Sequence, residues 1–167
     1  MNAASRGFVN GGRRKENEIF HSVSGWCGKH RRFSAVAPSQ VINYLSCHDD
    51  MTVWDKLVFT VDPQKQYDRF SPKVLRANRL AAAICFTCQG RLFLLSGEEF
   101  GRTKEGEANT YCAPITLNRL DWERAWQNRG LAEYYRGLFA LRKILPALCD
   151  KSGTAWERVL QQEILRP

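Results

Sequence analysis

Two apolar runs of strand length, each halted by a block of polar residues and separated by one helical stretch, constrain this chain more than any other feature. The first, Val41-Ile42-Asn43-Tyr44-Leu45-Ser46-Cys47, follows Pro38 and stops at His48-Asp49-Asp50. The second, Arg91-Leu92-Phe93-Leu94-Leu95-Ser96, stops at Gly97-Glu98-Glu99-Phe100. Both read as buried strands. Between them Ser71 can cap, and Pro72 can open, an Ala- and Leu-rich helix over residues 73–88 that Gly90 would end. Near-continuous apolar strands joined by a crossover helix predict an α/β fold with a parallel sheet covered on both faces. In such folds ligands bind at the C-terminal ends of the strands, where His48, Asp49 and Asp50 and the pair Glu98-Glu99 fall. The plain alternative for these polar residues is a solvent-exposed loop start.

The flanks are less regular. Residues 1–38 are rich in Gly, Ser, Arg and Lys and read as a loop-rich basic segment with one short helix over residues 14–22. A long polar loop is expected after Asp50 and another over residues 101–119. Asp121 can cap a short helix starting at Trp122, and an amphipathic helix over residues 131–145 is stopped by Pro146. The element order is therefore β-loop-α-β-loop-α.

Composition excludes several classes. With 44% hydrophobic and 25% charged residues the chain reads as globular, and no apolar run approaches the roughly 20 residues of a membrane-spanning helix, so no membrane partner is expected. The first twenty residues lack the apolar stretch of a secretory signal, which makes the cytoplasm the expected location. The six cysteines are scattered and are expected to be reduced. Cys85-Phe-Thr-Cys88 has the spacing of a redox motif or half a zinc site, but no second pair or nearby histidine completes it, so these read as core thiols, and neither metal nor cofactor is expected. Of the net charge of +8, residues 1–40 hold seven Lys or Arg against Glu16 and Glu18. That segment has few interleaved aromatics and no binding module, so a solvated face is expected there and no nucleic-acid partner.

A His-Asp dipeptide at a strand end supplies an acceptor pair and a switchable donor in a confined place, which suits hydroxyl-rich substrates or metals. Its context is more specific. The run from Val41 through His48-Asp49-Asp50-Met-Thr-Val-Trp54-Asp55-Lys56-Leu57 resembles the fourth conserved region of the type I pullulanases, starch-debranching members of the α-amylase superfamily, glycoside hydrolase family thirteen. The likeness continues through Gln89-Gly90, Ser96-Gly97-Glu98-Glu99-Phe100, Arg102-Thr103-Lys104, Gly106, Asn109-Thr110-Tyr111 and Asn118-Arg119-Leu120-Asp121-Trp122, and Gly7-Phe8-Val9-Asn10-Gly11 resembles a segment that precedes them.

The resemblance implies the last two β/α units of a (β/α)8 TIM barrel, an incomplete barrel, over residues 39–147. Residues 1–38 would precede the penultimate barrel strand, and residues 148–167 would start a C-terminal region. It implies a retaining glycosidase acting on α-1,6 links of α-glucans such as pullulan, glycogen and starch dextrins. Asp49 would be the carboxylate that stabilises the transition state. His48 and Asp50 would bind the same sugar, and Arg102, Asn109 and Tyr111 would lie in a loop beside the cleft. Trp54, Trp122 and Trp126 could stack on sugars, but aromatics at such positions more often pack and packing is expected; Glu98 and Glu99, adjacent on an extended chain, would point to opposite sides and be structural.

Two departures stand out. Asp50 occupies a position where the family has Asn, placing a second carboxylate beside Asp49. Nothing before Val41 resembles the motifs that provide the nucleophile aspartate and the acid/base glutamate. A complete barrel needs about 250 residues and eight strands. The chain is therefore expected to be a fragment, inactive alone, whose partner is the missing N-terminal part of the barrel. A non-catalytic carbohydrate-binding remnant, or a fragment of an isoamylase or glycogen-debranching enzyme, remains the alternative.

Overall fold

The structure is a computed structural model that describes residues 6–28 and 33–160. Strands β1 (Ile42–Asn43) and β2 (Arg91–Leu92) pair in parallel, with Ile42 opposite Arg91 and Asn43 opposite Leu92. The crossover between them carries α2 (Val53–Val61) and α3 (Pro72–Thr87). The Arg91 N–H donates to the Val41 carbonyl and the Phe93 N–H to that of Asn43, each at 2.9 Å.

The strands are shorter than the apolar runs that signalled them, and they are covered on one face instead of two. Leu92 and Leu94 pack against the helices, while Ile42, Tyr44 and Phe93 on the opposite face are exposed, Tyr44 and Phe93 meeting edge-on at 6.2 Å. The reason is physical: a run of apolar residues says that burial is favourable, and not what lies over each face. Among the described residues only one strand is present to pair with β1, so the regular ladder is brief.

Two apolar clusters lie along α3. Near its start, Val74 and Ala77 pack with Val53, Trp54, Leu57 and Val58 of α2. Toward its end, Ala82 and Phe86 pack with Leu131, Tyr135 and Leu138 of α6 (Arg129–Ile144). Trp54, Phe86, Leu131 and Tyr135 are almost wholly buried. Burial of each large apolar side chain contributes about 1.5–3 kcal/mol.

Helix α2 occupies part of the stretch expected to be a polar loop. Thr52 caps it, its Oγ1 accepting from the Asp55 N–H at 3.1 Å, and Val53, Trp54, Leu57 and Val58 form its buried stripe at helical spacing. The expected loop over residues 101–119 likewise ends in a single turn, α4 (Ile115–Asn118). Helix α5 (Trp122–Gln127) starts as expected, with Asp121 Oδ1 accepting from the Arg124 N–H at 3.1 Å. Upstream, α1 (Glu16–Val23) is the short helix of the basic segment. Lys29, Arg31 and Arg32 of that segment lie outside the described residues, whereas Arg13 and Arg14 are exposed.

The ends of α3 are built differently from the expectation. Ser71 precedes the helix but its side chain makes no capping hydrogen bond. At the other end the C-cap is Cys88, and the carbonyls of Phe86, Cys88 and Gly90 all accept from the buried Arg142 guanidinium of α6, at 2.5, 2.8 and 2.6 Å. Gly90 is required for closeness: a Cβ there would meet the Pro38 carbonyl oxygen at 2.8 Å. The neighbouring Gln89, wholly buried, donates to the Ala147 and Ala155 carbonyls at 3.0 Å and so fastens α7 (Ala155–Leu160). Cys85 and Cys88 are buried free thiols, as the core reading expects, and burial pushes them up to about 12 and about 11.

Candidate functional site

The two strand ends are tied together before the chain leaves the sheet. Buried Ser46 donates through Oγ to Oε2 of buried Glu98 at 2.8 Å. Glu98 and Glu99 sit in a 3-10 turn (Glu98–Phe100), not on an extended chain, so the alternation argument for them fails, although both are engaged structurally. Glu99 Oε2 accepts from the Gly97 N–H at 3.0 Å. Desolvation by burial, opposed by the Ser46 hydrogen bond, pushes the Glu98 carboxyl from its ordinary 4.5 up to about 7.

Past Ser46, residues 47–50 turn outward and present His48 and Asp49. His48 Nδ1 and Asp49 Oδ1 are 3.0 Å apart, and each side chain is 84% exposed. The turn closes at Asp50, whose φ of 67° is left-handed, a conformation that Asn and Asp adopt more readily than other non-glycine residues. That backbone accounts for which residue types suit this position.

His48 and Asp49 form one wall of an open cavity of about 250 Å3, and Lys104, Asn109, Thr110, Tyr111 and Asn118 form the other. The second wall is held from below by Asp55 of α2. Its fully buried carboxylate accepts from Thr103 Oγ1 and, at 2.7 Å, from the Lys104 N–H. Lys104 Nζ then donates to Thr110 Oγ1 at 2.6 Å, and Asn118 Nδ2 to the Thr110 carbonyl at 2.7 Å. Desolvation lowers the Lys104 pKa, Arg102 adds to that, and Asp55 and Asp49 oppose it. Lys104 thus lies within the field of Asp49.

Of the residues expected from sequence, the cavity brings together His48, Asp49, Asn109 and Tyr111. Asp50 and Arg102 are not on its lining. The Arg102 guanidinium instead donates to the Ser96 carbonyl at 3.2 Å and to that of Asn118, bracing the loop. Lys104, Thr110 and Asn118 were within the motif segments but were not singled out as site residues. Asp55 also lay within the motif run from Val41 to Leu57 and was likewise not singled out. Trp54 is a packing residue, sandwiched near Phe70 and the Arg124 guanidinium. Trp122 and Trp126 do not pack as expected: they are 70% and 67% exposed.

A carboxylate, an imidazole, two amides, an ammonium and a phenol around one concavity make a set of donors and acceptors suited to a polyhydroxylated ligand. They lie beyond the C-terminal ends of two parallel strands, the position at which α/β proteins bind their ligands, and the fold is that of an incomplete α/β segment. Known proteins are more specific. The pullulanase of Bacillus subtilis (strain 168) is 37% identical over 156 residues, 93% of this chain and 21% of that protein. The glycogen debranching enzyme of Salmonella typhi is 41% identical over 68 residues, 41% of this chain and 10% of that enzyme.

Among solved structures, apo pullulanase from Paenibacillus barengoltzii superposes with a TM-score of 0.84 at 37% identity, over 93% of this chain and 23% of that one. The type I pullulanase of B. subtilis complexed with maltose gives 0.84 at 32% identity, over 94% and 22%. No protein-family model matches the chain. The chain is homologous to a segment of the type I pullulanases and spans about a fifth of the length of the B. subtilis relative.

Proposed function

We propose that this chain supplies the sugar-holding end of a debranching glycosidase of the pullulanase type, which in complete form hydrolyses α-1,6-glucosidic links of branched α-glucans. The observation that carries this reading is the 3.0 Å His48–Asp49 pair opening onto the cavity beyond β1, on a chain homologous to an enzyme solved with maltose bound. Asp49 engages the Nδ1 side of His48 and leaves Nε2 to meet a sugar hydroxyl. Its second oxygen accepts from another hydroxyl, and its charge favours the positive, oxocarbenium-like ring of the transition state. Lys104, Asn109 and Tyr111 line the opposite wall. The nucleophile and the acid/base come from strands outside this sequence, so Asp49 positions and stabilises without attacking.

The finer reading follows from the same arrangement. The chain is the last two β/α units of a (β/α)8 barrel, and its partner is the remainder of that barrel. The exposed face of Ile42, Tyr44 and Phe93, together with an open groove of about 310 Å3 beside β1 walled by Ile19, Trp26 and Ile84, receives it. Titration calorimetry with maltose tests the site: a millimolar affinity that falls ~10-fold or more in Asp49→Ala is expected. Reducing sugar released from pullulan only after the N-terminal barrel part of a relative is added tests the activity. Release by the chain alone, or maltose affinity indifferent to Asp49, overturns the reading.

A further inference from the structure

Beyond the ladder, the strand end that carries His48 and Asp49 hangs on one hydrogen bond. The last bond between the strands runs from the Phe93 N–H to the Asn43 carbonyl, and α2 takes hold of the chain again only at its cap, Thr52. In between, the Cys47 thiol donates to the Asp49 carbonyl and His48 pairs with Asp49, contacts internal to the turn. Among the described residues, the bond from Ser46 Oγ to Glu98 Oε2 is the single hydrogen bond that joins residues 44–51 to any other part of the molecule. Leu45 packs against the first apolar cluster, which fixes depth, but apolar contact is non-directional and a hydrogen bond is not.

The partner of Ser46 is itself firmly held. The turn bearing Glu98 is closed by the Gly101 N–H donating to the Glu98 carbonyl at 3.1 Å, and Asn128 Nδ2 donates to the Phe100 carbonyl at 3.1 Å. Around the buried carboxyl stand Glu99 in the same turn, Cys85 of α3 and Tyr135 of α6, whose hydroxyl donates to Asn78 Oδ1 of α3 at 3.1 Å. We infer that Glu98 is a positioning residue of the sugar site, fixing through Ser46 the direction in which the strand end sends His48 and Asp49 into the cavity, an inference that rests on the sugar-binding reading of that cavity. A binding constellation works only when held to within about 0.5 Å, and here one bond from the core of the fold supplies that hold. Above its raised pKa of about 7 the Glu98 carboxylate, set beside Glu99 in the interior, gains by turning toward water and draws Ser46 with it.

The test is maltose titration calorimetry on the whole 167-residue chain, with the fold of each variant checked by far-ultraviolet circular dichroism. Ser46→Ala is expected to weaken maltose binding ~5-fold, the loss of one hydrogen bond. In an Asp49→Ala background the same change is expected to add nothing, because its effect passes through Asp49. Glu98→Gln keeps an acceptor for Ser46; it is expected to match the parent at pH 6 and to bind ~3-fold more tightly than the parent at pH 8.5, where only the parent carries the charge. Titration of His48 is common to both proteins and cancels in that comparison. With Ser46→Ala in both, the difference at pH 8.5 is expected to vanish. A purely structural role lowers melting temperature without these couplings. Affinity that depends on Asp49 but not on Ser46, losses that add, or parallel pH profiles overturn the inference and leave the sugar site standing. Affinity indifferent to Asp49, or no maltose binding, overturns the sugar reading and this inference with it.

Discussion

Glu98 shows how one residue sets a condition on the whole site. Its carboxyl is raised by burial to about 7, so the folded chain holds a proton there that the unfolded chain releases near 4.5. The folded state thus binds more protons between those values, and stability is fullest below pH 4.5 and falls as pH rises toward 7. The difference corresponds to about 3 kcal/mol lost across that window. Glu98→Gln, which keeps an acceptor for Ser46 without a charge, is expected to flatten this slope; melting temperatures of both proteins from pH 4 to 8 check it, and an equally steep slope in the variant rules it out. At this scale the sequence is most legible where chemistry is local. His48 and Asp49 announce themselves because two polar groups directly follow an apolar strand. Arg102 and Asp50 do not line the cavity, because a motif marks a segment and cannot say which of its side chains turns toward the ligand and which toward the loop's own carbonyls. For Asp49→Ala, the maltose titration described above is the decisive measurement.

Among the elements, α2 carries the most consequence for the site and was the least visible. Residues 51–70 look polar on average, yet Thr52 with Asp55 three places on, and the stripe of Val53, Trp54, Leu57 and Val58, are helix signals that an average conceals. Its Asp55 reaches across to fix Thr103 and Lys104, so a helix in the crossover shapes the loop after β2. Asp55→Ala leaves a hydroxyl and a buried N–H without their acceptor, which is expected to cost about 2–4 kcal/mol and to weaken maltose binding by freeing the Lys104 wall. Urea unfolding and the same calorimetry measure the two effects; full stability in the variant would show that the loop finds another anchor. Helices α3, α5 and α6 were legible because Pro, Asp and a sustained 3.6-residue period mark them. The capping of α3 by Arg142 was not, since 54 residues separate Arg142 from Cys88.

As a whole, the molecule is helices laid on one side of a short parallel strand pair. Parallel order and the crossover helix were readable from two apolar runs with a helix between them, while the bare face was not, since hydrophobic pattern reports the need for cover and not its source. That face is expected to bind an apolar fluorescent dye in the isolated chain and, on the barrel reading proposed above, to lose it when the N-terminal barrel part of a relative is added. Tyr44→Lys is expected to abolish that association while leaving maltose affinity unchanged, and continued association of the variant would place the contact elsewhere.

Arg142 also bears on where the chain tolerates change in length. Its guanidinium gathers carbonyls from the end of α3, from Gly90 and from Leu148 beyond α6, so an insertion between residues 86 and 90 or between 145 and 148 pulls apart groups that share one cation. Residues 63–66, exposed and between two helices, are held only locally, the Asp62 carboxylate accepting from the Gln64 and Gln66 N–H groups, and no distant element shares that anchor. Added loops, affinity tags or a fused domain are accommodated there, at the far end of α3 from the guanidinium that closes the other corner.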